Sequence, residues 1–303
     1  MKTETLRRIF DIDPRMIQCL NDLQYSFLGS ELRNILRLVY ALKDTPTKKI
    51  SSFDKADADF VITNQKKIRE VICTVFNFIL DAKLHAYYDN PKESIRPLIS
   101  IAYHLFHKQV EISEFEYYWK NNHKEFVLFE TWLYHSLLFG KFRNIKDVPS
   151  PIEDLLEIFE EHKLQNYSVF TVDDLDKFDK EFVLFLLSDR RSTLKEHIEV
   201  VGHLMSPFFL RQYNYSDEAI NNIRNLGIFD SQHLRIKECL RFSEWMNFCI
   251  ANRKIYSEKA VIPENEELWT EENFPEFCEA RGKLIIDIIN LTFTELGTET
   301  PSN

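Results

Sequence analysis

Six glycines in 303 residues are too few for a chain built from tight hairpins. An all-β domain needs turn residues roughly every 8–12 positions, and glycine supplies the positive-φ conformations that many such turns demand. Ten prolines do not fill the gap. Rich in Leu, Ile, Phe, Glu and Lys, the chain is expected to be mainly α-helical. With 44% apolar and 14% aromatic residues it can bury a full core, as one elongated or two compact domains.

The apolar residues of the first half recur at helical spacing. Leu28, Leu32, Ile35, Leu36 and Val39 mark a helix from about Pro14 to Lys43, and Ile68, Val71, Ile72, Val75, Phe76 and Ile79 mark a second. The polar stretch 45–59, with Pro46, reads as a loop. Asn90-Pro91 is a cap followed by proline, opening a helix through Ile95, Leu98 and Ile99 in which Pro97 predicts a bend. A fourth helix through Phe126, Phe129, Trp132 and Leu137 ends near Gly140, and Ser150-Pro151 starts another. Thr171-Val172-Asp173-Asp174 resembles a capping box for a helix through Phe178 and Phe182 to Leu186. Residues 1–188 therefore read as a helical domain with no visible chemistry.

Composition narrows the function classes. Cys19, Cys73, Cys239, Cys249 and Cys278 are odd in number and widely spaced, which argues for reduced thiols over a disulfide or zinc framework. No apolar run reaches the roughly 18 residues of a membrane span, and the basic start Met1 to Arg8 leads into no signal segment. A cytoplasmic protein with no membrane partner is expected. The balance of 38 basic and 48 acidic side chains opposes long-range attraction to nucleic acid. Charge is uneven, however: residues 189–260 hold eleven Lys and Arg against nine Asp and Glu, a net +2 that leaves −12 on the remainder. A nucleic-acid contact belongs in that segment.

There the texture changes too. Short extended segments around 197–201 and 226–229 are separated by a polar loop and a short helix capped by Ser216. Ser243 then caps a helix through Trp245 and Met246, and Thr270 caps a long last helix through Phe274, Phe277, Arg281, Leu284 and Ile288. Strand, loop, strand, helix is the ββα order of His-Asn-His nuclease sites. Residues 189–303 are accordingly expected to form a small ββα-metal domain packed by a long C-terminal helix, with Ile198 and Ile228 on paired antiparallel strands.

Five stretches share an order with a known family. Trp132-Leu133-Tyr134-His135-Ser136-Leu137-Leu138-Phe139-Gly140-Lys141-Phe142, then Glu196-His197-Ile198, Asn222-Ile223-Arg224-Asn225-Leu226, Phe242-Ser243-Glu244-Trp245, and Leu268-Trp269 through Phe274, Phe277, Arg281 and Leu284 stand in that order. From about Lys124 onward the chain resembles the C-terminal half of the GmrSD-type, modification-dependent restriction endonucleases, which end in a helical region and an HNH domain. The resemblance implies a subunit of a restriction or antiphage defence system that acts on DNA. It also implies His197 as general base, Asn225 as the residue orienting it or its loop, and Glu196 as a ligand of Mg2+ or Mn2+.

The departures bear on activity. The family's nucleotide-dependent domain is not visible, so nucleotide hydrolysis would come from a separate subunit. Glu196 replaces an Asp, and Val200-Val201-Gly202 stands where the family has a proline. Aligning Arg235-x-Lys237 with the family's Asn-Arg-x-Lys puts Leu234 at the metal-binding Asn, and leucine cannot ligate a hard cation. His233, one residue away, substitutes as metal ligand only if the helix starts one residue out of register. Two functions stay open: a divergent HNH-type subunit that has lost cleavage and binds DNA or a partner chain, and an active metal-dependent endonuclease. An oligomer is left open as well.

Elsewhere the bland readings stand beside the sharp ones. His104 and His107 are a metal pair or a structural pair. The cluster Phe115, Tyr117, Tyr118 and Trp119 is a base-stacking platform or core, and Arg224, Arg235, Lys237 and Arg241 are phosphate contacts or a solvated face.

Overall fold

A computed structural model of the chain describes residues 20, 22–23, 32–45, 48–88, 95–143, 151–159, 169–188, 199–248 and 261–296. Contacts divide the protein into two compact units, one of residues 1–136, 141–166 and 296–303, the other of 137–140 and 167–295. It is mainly helical, with two short strands among the described residues. No helix among them is long and apolar enough to cross a membrane.

The first unit is built on amphipathic helices. In α1 (Leu32–Leu42) the residues Ile35, Leu36, Val39 and Leu42 are buried at the expected spacing. Helix α2 (Lys55–Asp81) begins inside the stretch expected to be a loop, because Asp54 and Asp57 form a capping box: Asp57 N donates to Asp54 at 3.1 Å, and Asp54 N to Asp57 at 3.0 Å. Asp57 is fully buried, and Lys43 and Lys48 neutralise it at 2.6 and 2.5 Å.

Helix α3 (Arg96–His107) packs on α1, α2 and α5 (Pro151–Phe159). Asn90-Pro91 lies outside the described residues. Pro97 falls in the first turn of α3, where a missing N–H breaks no helical hydrogen bond, so it supplies a start and not a bend. Between α3 and α4 (His123–Leu138), Phe115, Tyr118 and Trp119 are buried. Trp119 Nε1 donates to the Thr74 carbonyl at 2.8 Å, so these three rings are core, while Tyr117 of the same cluster is exposed. The histidine pair is structural as well. His104 Nε2 lies 3.3 Å from Glu125, which also accepts from Lys108 and Tyr118, and His107 Nε2 lies 3.1 Å from the Leu42 carbonyl. Gly140, at φ 61°, ends the α4 segment in the left-handed region as expected.

In the second unit, the single helix expected after Thr171 is two. Thr171 and Asp174 do form a capping box, but over a 3-10 turn, Val172–Lys177; Phe178 is extended, and Asp179 caps α6 (Lys180–Leu187) by accepting from Phe182 N at 2.8 Å. A second cap thus stands eight residues after the first. Helix α6, assigned by sequence to the domain of residues 1–188, thus belongs to the same unit as the strands and helices C-terminal to it.

Strands β1 (Glu199–His203) and β2 (Leu226–Asp230) pair antiparallel, with Val201 opposite Ile228, Gly202 opposite Gly227 and His203 opposite Leu226. Ile198 lies outside the described residues, and Ile228 pairs with Val201. Between the strands run α7 (Pro207–Gln212) and α8 (Asp217–Ile220), the latter capped by Ser216 as expected. Helix α9 (Ser231–Glu238) follows β2 directly and packs on both strands. The next helix, α10 (Phe242–Phe248), sets Trp245 edge-on against Phe229 at 5.9 Å. Its start is held by Glu244 accepting from Arg241 N at 3.0 Å, which leaves Ser243 inside the first turn instead of at the cap. The last helix, α11 (Phe274–Glu295), starts a turn beyond Thr270 and buries Phe274, Phe277, Arg281, Ile285 and Ile289. Fully buried Arg281 donates to the carbonyls of Val261, Ile223 and Leu226 at 3.0, 2.9 and 2.6 Å, fixing α11 to the start of β2.

Candidate functional site at the end of strand β1

The strand pair, the crossover after β1 and helix α9 meet around His203. Its ring is part-exposed, and Nε2 lies 2.9 Å from Asn221 Oδ1. Asn221 is oriented in turn by donating from Nδ2 to the Asp217 carbonyl at 2.7 Å, and Lys180 Nζ holds its backbone carbonyl at 2.9 Å. His203 is thus a part-exposed imidazole at a strand end, with one ring nitrogen already directed.

Asn225 is fully buried and has its amide saturated. Oδ1 accepts from Met205 N at 2.8 Å, while Nδ2 donates to the carbonyls of Met205 and Ile220 at 3.1 and 3.0 Å. It clamps the chain leaving β1 to the turn entering β2, and no described bond joins it to an imidazole. Of its two expected tasks, holding a loop is the one visible.

Lys237, only 1% exposed, reaches back under the strand end from α9. Its ammonium donates to the His203 carbonyl and lies 5.6 Å from the centre of the Phe229 ring. Burial lowers its pKa to about 8. One turn before it on the same face, Leu234 packs against the core and over Gly202. A Cβ on Gly202 would stand 2.4 Å from Leu234 Cδ1, so the leucine occupies the space a side chain at 202 would need.

The remaining expected residues divide simply. Glu196 and His197 lie outside the described residues; His233 falls within α9, but its side chain is outside the description. Among the described residues, no group of three His, Cys, Asp or Glu is placed to hold a metal ion. Arg224 is engaged by Asp176 at 2.9 Å and by the Val172 carbonyl, Arg241 by Glu271 at 2.7 Å, and Lys237 is buried. Of the four cations considered for phosphate contact, Arg235 is the one exposed without such a bond. Sequence analysis does not single out His203, which the strand pairing places at the end of β1. No known family profile matches the chain, and no curated protein matches it.

Proposed function

We propose that the second unit is a divergent HNH-type ββα domain that has lost metal-dependent cleavage. In this reading it works in the cytoplasm as an interaction subunit of a restriction or antiphage defence system, binding DNA or a separate nucleotide-hydrolysing chain. The observation that carries the reading is the contact of Leu234 with Gly202. Taking His203 as the strand-end histidine puts Pro207 where the resembled family has its proline, a residue missing after Glu196-His197-Ile198. It also puts Gly202 at the acidic position, while Leu234 already stands at the helix ligand. Both positions that would hold Mg2+ or Mn2+ then lack an oxygen, and the two residues fill the site with their own packing.

The active alternative keeps Glu196 and His197 as ligand and base, with His233 as a further ligand. A plasmid-nicking assay with Mg2+ and with Mn2+, on the chain alone and with any co-encoded partner, separates the two. No nicking and no calorimetric Mn2+ binding is the expected result. Nicking by the wild type that His197→Ala or His203→Ala abolishes, with the melting temperature kept, would overturn it.

A further inference from the structure

We propose that a groove between residues 261–268 and α11 docks an amphipathic helix with basic flanks, supplied by a partner protein. The groove measures about 490 Å³. Its floor is a stripe on one face of α11, Ala280, Leu284 and Ile288, spaced a turn apart. Leu284 is 37% exposed, and Leu291, 57% exposed, extends the line by a further turn. Such an i, i+4 ridge is the surface that a second helix packs against, and helix-in-groove recognition reads apolar anchors at i, i+4 and i+7.

The opposite wall is preformed. Val261, Ile262, Pro263 and Leu268 line it, and Val261 is held at φ 54°, a left-handed conformation that a β-branched residue adopts only under constraint. The constraint is visible: Arg281 Nε holds the Val261 carbonyl at 3.0 Å, and Trp269 Nε1 holds the Pro263 carbonyl at 2.8 Å. The same guanidinium holds Leu226, opposite His203, so one side chain joins the groove wall to the strand pair.

Charge selects the occupant. Glu264, Glu266 and Glu267 are exposed along the wall, and Asp287 is exposed beside the stripe. Lys283, the exposed cation of α11, is already paired with Glu279 at 2.8 Å. Among the described residues the rim around this apolar floor is acidic; such a rim repels DNA, an anionic membrane surface and a second copy carrying the same rim, and attracts a helix flanked by Lys or Arg.

The proposal rests on the second unit being an interaction module and not on the loss of its metal site. A chain that both nicks DNA and binds such a helix would overturn the earlier reading and leave this one standing. The test uses the full chain and two fluorescein-labelled synthetic helical peptides with leucines at i, i+4, i+7 and i+11, one flanked by lysines and the other by glutamates. Fluorescence anisotropy should show the lysine peptide binding at least about tenfold tighter. Leu284→Glu should weaken it by about tenfold or more, with a thermal melt checking that the variant is folded. Exchanging Glu264→Lys together with Asp287→Lys leaves two cations and two acids on the rim and should remove the preference. Equal binding of both peptides by the wild type, binding of neither, or full binding by Leu284→Glu would overturn the proposal. So would light scattering that finds a dimer which Leu284→Glu dissolves, since the occupant would then be a second copy.

Discussion

Leu234 on α9 and Gly202 on β1 are complementary: the absence of a Cβ at 202 is what lets the leucine lie against the strand, with Cδ1 at 2.4 Å and Cδ2 at 3.1 Å from where that atom would stand. Phe229 Cδ2, at 3.2 Å, closes the third side. Gly202→Ala alone should therefore cost about 1–3 kcal/mol by overpacking. In a Leu234→Ala background the same change should cost much less, with a coupling energy on the order of 0.5–3 kcal/mol. Denaturant melts of the four proteins of the cycle measure it, and additive losses would show that the two residues do not share this space.

Rebuilding the metal site exploits the same contact. Leu234→Asn alone should bind no Mn2+ and should lose roughly 1–3 kcal/mol, because an amide replaces a leucine packed on Gly202 and the core. Gly202→Asp with Leu234→Asn supplies two oxygens where the ββα arrangement would hold the ion, and calorimetric titration should then detect Mn2+. Binding gained by Leu234→Asn in combination with Glu196→Asp, and not with Gly202→Asp, would return the acidic ligand to position 196.

Much of the helical architecture is legible in the sequence. The periodicity of Ile35, Leu36 and Val39, and of Ile68 through Ile79, marks helices because one buried face leaves a 3.6-residue signature. Caps are less reliable where two compete: Thr171 and Asp179 each open a helix, and the nearer one yields to a 3-10 turn. The order strand, strand, helix is legible, but the strand bounds are not: β1 ends at His203 because of its pairing with Leu226, and such pairing with distant residues leaves no local signal. Leu234 and Lys237 lie a turn apart, so the helix carries both to the sheet; that the lysine is buried there depends on Phe229 and on the His203 carbonyl, which no local spacing announces. The groove on α11 is further still from the sequence, since its wall is held by Arg281 across twenty residues of chain.

Asn225 should prove to be a structural residue. Asn225→Ala leaves Met205 N–H and the carbonyls of Met205 and Ile220 without their partners. The expected loss is roughly 2–4 kcal/mol, seen as a lower denaturation midpoint. Asn225→Asp keeps the acceptor for Met205 but turns a carboxylate oxygen toward two carbonyls, so its loss should shrink at acid pH, where a protonated carboxyl can donate. An Asn225→Ala chain of unchanged stability would show that the clamp contributes nothing net to the fold.

Lys237 should leave its mark on the alkaline side of the stability curve. Burial takes its pKa from the usual 10.5 down to about 8 in the folded protein. Between those values the unfolded chain binds more protons than the native one, so the free energy of unfolding should rise with pH through the window from about 8 to 10.5. Below it, the full cost of burying the ammonium is present. At about 1.36 kcal/mol per unit, the contribution is on the order of 3 kcal/mol across the window. Lys237→Met removes the titrating group, keeps a flexible apolar stem against Phe229 and surrenders the bond to the His203 carbonyl and the ammonium's contact with the Phe229 ring. The difference in unfolding free energy between wild type and variant, measured by urea melts from pH 7 to 10.5, should change in the wild type's favour as pH rises, while other titrating groups cancel in the subtraction. A difference that stays flat across that range would mean that Lys237 keeps an ordinary pKa, and hence that water reaches its ammonium at the end of β1.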